Sequence, residues 1–135
     1  MFDSTKYDKL LLNLGVIKKQ VSGGDIIHSA VDLRKNLDNF TSLLCNDFDI
    51  GLDTNQYSSV TLDKKIKALQ NELLTKNEAN TFFSIKRIGN PAAHELETTS
   101  GSIEEISNLL QKYEKIIIDY KTNYEEKHRN FLAKK

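Results

Sequence analysis

Four segments of this chain carry apolar residues at alternating three- and four-residue steps, and no other feature constrains the fold as strongly. The first comprises Tyr7, Leu10, Leu14, Ile17 and Val21, and the second Ile26, Ala30, Leu33, Leu37, Phe40 and Leu44. Leu62, Ile66, Leu69 and Leu73 make the third, and Ile103, Ile106, Leu110, Tyr113, Ile117, Tyr120 and Tyr124 the last. Such a period gives each helix one apolar stripe, which is stable only when buried against other helices. No stretch alternates cleanly enough for a sheet strand. The predicted fold is all-α: an antiparallel helical bundle of four to five helices.

The polar residues between the stripes agree with this. Ser22-Gly23-Gly24 separates the first two helices, and Asp25 or a neighbouring glycine can cap the second. Asn46 to Ser59 reads as a loop, Thr61 can cap the third helix, and Ser102 with Glu105 has capping-box spacing. A short helix of residues 78–88 is expected ahead of a bend, with Phe82, Phe83 and Ile85 on its apolar face. The last helix is expected to run to Phe131. Its seam turns polar after Tyr124, so residues 125–135 are predicted as a solvated or frayed end.

At 135 residues the chain is read as one domain, 1–135, long enough to bury a core. Nineteen basic residues balance nineteen acidic ones, so no overall field draws it to nucleic acid or anionic lipid, although a local patch can. The single cysteine, Cys45, rules out an internal disulfide and is expected to be a small buried residue. No run approaches the roughly 20 apolar residues of a membrane span, and the start of the chain lacks the apolar core of a signal peptide. The expected location is cytoplasmic, with no membrane contact.

Metal chemistry finds no support in the spacing. "DFDIGLDTN", Asp47 to Asn55, alternates acidic residues, but Gly51 falls one position early for an EF-hand loop and Ser58 stands where the bidentate glutamate belongs. His28, His94, His128 and Cys45 lack zinc spacing. The expectation is no metal and no cofactor.

The remaining candidate is "KRIGNPAAHE", Lys86 to Glu95. Gly89 can end a helix in the left-handed conformation and Pro91 disfavours helix at Asn90, so a turn is predicted that brings Arg87 and His94 together. The stretch resembles the signature of the HEPN superfamily, whose RNases carry Arg, four to six residues, then His. It is closer to one branch, long called a domain of unknown function, in which Arg precedes Gly-Asn and then Ala-Ala-His or a similar triplet. That branch occurs alone or fused to restriction-modification and other defence proteins. "DLRKNLDNF" looks like its early helix, with Arg34 and, four residues later, Asp38, and "TLDKKIKALQ" looks like the helix before the signature. The resemblance covers about residues 25–120.

The resemblance implies a helical bundle that pairs into a homodimer, with two Arg/His motifs facing across a cleft. It implies RNA cleavage without a metal, leaving a 2′,3′-cyclic phosphate. Neutral histidine, with a pKa near 6.5, can exchange a proton with a ribose 2′-hydroxyl or leaving oxygen. Arginine can hold a phosphate with two donors as charge builds. In this assignment His94 is the acid/base, Arg87 the phosphate clamp and Asn90 an orienting residue. Arg34 and Asp38 would support them as a pair one helical turn apart, and Lys86 would add to a small basic patch. Ile88 stands where active members often carry a polar residue, and it suits packing.

Two other readings remain open. One is a non-catalytic module binding a nucleotide, a nucleic acid or a protein. The other is a member of a toxin-antitoxin or restriction complex that meets an antitoxin or similar partner through its last helix.

Overall fold

The computed structural model describes residues 2–52, 60–95 and 102–135, with residues 91–95 as backbone. The described residues form six helices and no strand: α1 (Ser4–Ser22), α2 (Ile26–Asp47), α3 (Leu62–Glu72), α4 (Lys76–Glu95), α5 (Ile103–Thr122) and α6 (Tyr124–Ala133). An all-α bundle was expected; six helices exceed the four to five predicted from the stripes.

Local chemistry sets most of the helix starts. Asp25 and Thr61 accept the backbone N–H three residues on, at 3.1 and 3.2 Å, capping α2 and α3. Gly24, at φ 79°, lets the chain reverse between α1 and α2. The complete capping box lies at α4: Thr75 Oγ1 accepts from Glu78 N at 3.1 Å, while Glu78 Oε1 accepts from Thr75 N at 2.9 Å. At α5 only half a box forms. Ser102 accepts from Glu105 N, but the Glu105 carboxylate turns to another partner.

The stripes converge on α2, which packs against α1, α3, α4 and α5. Phe40 stands at its centre, edge-on to Tyr7, Phe82, Tyr113 and Tyr120 with ring centroids 5.8–6.2 Å apart. Edge-to-face contacts add to the area these rings bury. Asn36, 2 % exposed, threads a strongly polar side chain from α2 through this layer. Its Nδ2 donates to the Leu10 carbonyl at 3.1 Å and to Asn13 Oδ1 at 2.9 Å, and its Oδ1 accepts from the Tyr113 hydroxyl at 2.6 Å. One amide thus ties α1, α2 and α5. Asn36→Ala should cost about 3 kcal/mol, since it orphans a buried phenol and a carbonyl and leaves a cavity. In urea titrations Asn36→Leu with Tyr113→Phe should cost less than the two single changes added; simple additivity would mean the pair is not coupled.

The expected single last helix is broken at Asn123. Its side chain donates to Asp119 Oδ1 at 2.7 Å, competing with the helical backbone, and its own φ/ψ of −111°/24° leaves the helix. The break folds α6 back over Phe48. Tyr124 stacks on Phe2 and donates from its hydroxyl to the Asp47 carbonyl at 2.8 Å, and Phe131 stacks on Phe48 and is buried. Residues 125–135, predicted as solvated or frayed, therefore include a helix anchored by Phe131, with Glu125, Glu126 and Arg129 exposed.

Burial also fixes the alkaline behaviour. It holds the phenols of Tyr7, Tyr113 and Tyr120 well above the usual tyrosine range, helped at Tyr7 by the hydrogen bond to Asp47 and at Tyr120 by Glu78. It pushes the Cys45 thiol up to about 11. The ordinary values are 9.0 for the thiol and 10.0 for the phenols, so above pH 9 the folded chain keeps protons that the unfolded chain loses. This stabilisation is complete below pH 9 and disappears as pH rises through the folded values. The urea midpoint should hold steady from pH 7 to about 8.5 and fall between 9 and 11; a flat profile to pH 11 would contradict the assigned burial.

Candidate functional site

The stretch from Lys86 to Glu95 lies within α4. The bend predicted at Gly89 to Pro91 is absent: the helix passes through both residues, and Gly89 lacks the positive φ of a left-handed cap. Packing accounts for the difference. A Cβ built on Gly89 would lie 2.5 Å from Arg34 Cβ and 2.9 Å from the Ala30 carbonyl oxygen, so the glycine lets α4 touch α2. Pro91 withdraws one donor from the ladder without ending the helix.

Lys86, Arg87 and Ile88 face different surroundings. Lys86 reaches Asp63 on α3 at 3.1 Å, and Lys86 and Lys67 together hold that carboxyl below the usual carboxylate range, Lys67 contributing most. Arg87, 54 % exposed, pairs with Glu105 on α5 at 2.5 Å. Ile88 is fully buried, in keeping with its assignment to packing. Asn90 is half-buried, and its Oδ1 has no hydrogen-bond partner among the described residues. The helix backbone carries His94, whose side chain lies outside the described residues.

Helical register relates the three proposed catalytic positions. Arg87, Asn90 and His94 are spaced i, i+3 and i+7, which is one stripe of helix positions. Seven residues rise about 10 Å along the axis, a gap that an extended arginine and an imidazole can bridge around one phosphate.

The supporting pair is not assembled as expected. Asp38 meets Lys65 of α3 rather than Arg34; this buried lysine also donates to the Asp38 carbonyl and to Ser42 Oγ. Arg34 instead lies along Gly89, with its Nε buried and unpartnered. Arg34 is thus brought beside the motif, and Asp38 is held by another helix. Sequence reasoning missed Glu105 as the partner of Arg87, because its spacing from Ser102 marked it only for capping. It also missed Lys65, which nothing local sets apart from a solvated lysine.

Two adjoining cavities, about 540 and 340 Å³, open along the α4/α5 seam and share Ser84, Leu109 and Lys112. The second is lined by Glu105, the residue that holds Arg87. Among the described residues no three His, Cys, Asp or Glu side chains cluster as metal ligands, and no helix is long and apolar enough to cross a membrane.

Fold and site together define an all-helical bundle protein with an Arg-Ile-Gly-Asn segment set into the helix that packs most closely on the central one. Residues 23–134 match the family described as a domain of unknown function, DUF4145, and the chain belongs to that family. The match takes in α6, beyond the reach of the resemblance read from sequence, and begins after α1. No curated protein and no solved structure matches the chain.

Proposed function

We propose that this chain is a HEPN-like protein of prokaryotic or phage defence that acts on RNA in the cytoplasm, as a metal-independent endoribonuclease leaving 2′,3′-cyclic phosphate ends. The observation that carries the reading is the continuity of α4, which sets Arg87, Asn90 and His94 on one stripe of positions. Arg87 would clamp the scissile phosphate, His94 would move the proton of the 2′-hydroxyl, and Asn90 would orient one of them. Glu105 pairs with the guanidinium, and a bound phosphate would compete with it. The reading includes a homodimer in which the two Arg/His motifs face one another across a cleft. The test is incubation of the purified protein with single-stranded and transfer RNAs in EDTA, beside Arg87→Ala and His94→Ala. Cleavage that survives both changes, or a well-folded dimer that leaves every RNA intact, would remove the catalytic reading.

One observation favours a second reading. The Arg87–Glu105 ion pair and the packing role of Gly89 give this segment a structural purpose without chemistry, as a non-catalytic module binding a nucleotide, a nucleic acid or a protein would require. RNA binding without cleavage would select it.

A further inference from the structure

The larger cavity on the α4/α5 seam has polar and cationic walls that the proposed Arg/His chemistry does not use. Its α4 wall presents Asn77, Asn80 and Ser84, spaced i, i+3 and i+7. Its floor is apolar, made by Leu109 and Ile116. Its α5 wall ends in Lys112 and Lys115, both exposed, and neither makes an ion pair among the described residues. Arg87, beside the adjoining cavity, is held by Glu105. Glu78, the one acidic residue in this cavity, already accepts from Thr75 N and the Tyr120 hydroxyl.

We infer that this cavity binds one nucleotide unit, with the phosphate on Lys112 and Lys115 and the base over Leu109 and Ile116. Two lysines three residues apart on one helix form a positive pair that a phosphate can bridge. The amides of Asn77 and Asn80 each offer both a donor and an acceptor, which suits the edge of a base. A volume of about 540 Å³ is that of a small-ligand site. Ser84 stands three residues before Arg87, so the cavity lies directly beside the motif. The inference deepens the RNA reading, since a unit bound here would hold the chain next to the phosphate that Arg87 is proposed to grip.

The experiment is fluorescence anisotropy with the full chain and a fluorescein-labelled, mixed-sequence single-stranded RNA, 2′-O-methylated so that it cannot be cut. Lys112→Glu/Lys115→Glu is compared with Lys6→Glu/Lys9→Glu, which changes net charge equally on α1, a helix that contributes nothing to this cavity. The groove pair should weaken binding by about tenfold or more and the α1 pair by less than about twofold. Competition by millimolar adenosine or uridine monophosphate would mean that a free nucleotide fits the site; its absence would assign the site to units of a chain. Equal weakening by both pairs, or no binding by the wild type, would overturn the inference. Cleavage is read separately: a wild type that cuts RNA with a KM unchanged by the groove pair sinks this site and leaves the RNA reading, whereas groove-dependent binding without cleavage supports the site and removes the catalytic reading.

Discussion

On the proposed RNase reading, replacing His94 with alanine is expected to slow RNA cleavage in EDTA by about 10²- to 10⁴-fold, the usual loss when a positioned acid or base is removed. Arg87→Ala should cost about 10²- to 10³-fold, because a fixed cationic donor stabilises the charge that develops on the phosphate. The Arg87 loss should not come from unfolding. Arg87 is 54 % exposed and its partner Glu105 is 36 % exposed, so breaking the pair should cost about 0.5 kcal/mol; unchanged thermal melts would verify that. The Arg87 result discriminates further when combined with Glu105→Gln. If the guanidinium is a phosphate clamp, Glu105 competes with substrate, and removing its charge should lower KM. If the ion pair is only structural, Glu105→Gln should leave KM alone and lower stability by the same small amount. DNA of matching sequence should stay intact, because it lacks the 2′-hydroxyl. Cut DNA would point to other chemistry.

The sequence made the core legible because helix period and burial are the same geometry seen twice. Tyr7, Leu14 and Ile17 follow the predicted stripe of α1 and are fully buried, as are Leu33, Leu37 and Phe40 on α2. Capping was equally readable at Asp25, Thr61 and Ser102, where a side-chain acceptor meets an N–H three residues on. What failed was every inference in which a local rule competed with a distant contact. Gly89 and Pro91 predict a bend when read alone, yet the missing Cβ is used for contact between α4 and α2. "EEKHRN" reads as a solvated end because the rings that α6 covers, Phe48 and Phe2, lie far away in sequence. Arg34 and Asp38 have the spacing of an ion pair, but Lys65 arrives from α3 and takes the carboxylate. The candidate site inherits this limit: the partners of its proposed residues, Glu105 above all, depend on helix packing.

Gly89→Ala is the sharpest test of that packing, and it should destabilise the protein by about 2 kcal/mol. The added methyl would lie 2.5 Å from Arg34 Cβ and 2.9 Å from the Ala30 carbonyl oxygen. Neither atom can swing away, since one is fixed to the α2 backbone and the other belongs to it. Helix α4 must therefore lift from α2, at an overpacking cost near the upper end of about 1–3 kcal/mol. Alanine recovers up to about 1 kcal/mol through its better helix propensity, which reduces the loss without reversing it. A melting temperature lower by roughly 8 °C is the expected reading for a chain of this size. Comparison with Gly89→Asn then separates the two explanations of this glycine. Asparagine tolerates the left-handed conformation, so at a helix cap it should be milder than alanine. Between two touching helices its larger side chain should be worse. Asparagine milder than alanine would restore the bend predicted from sequence; asparagine worse than alanine would place the motif inside a continuous α4, the arrangement on which the stripe of Arg87, Asn90 and His94 depends.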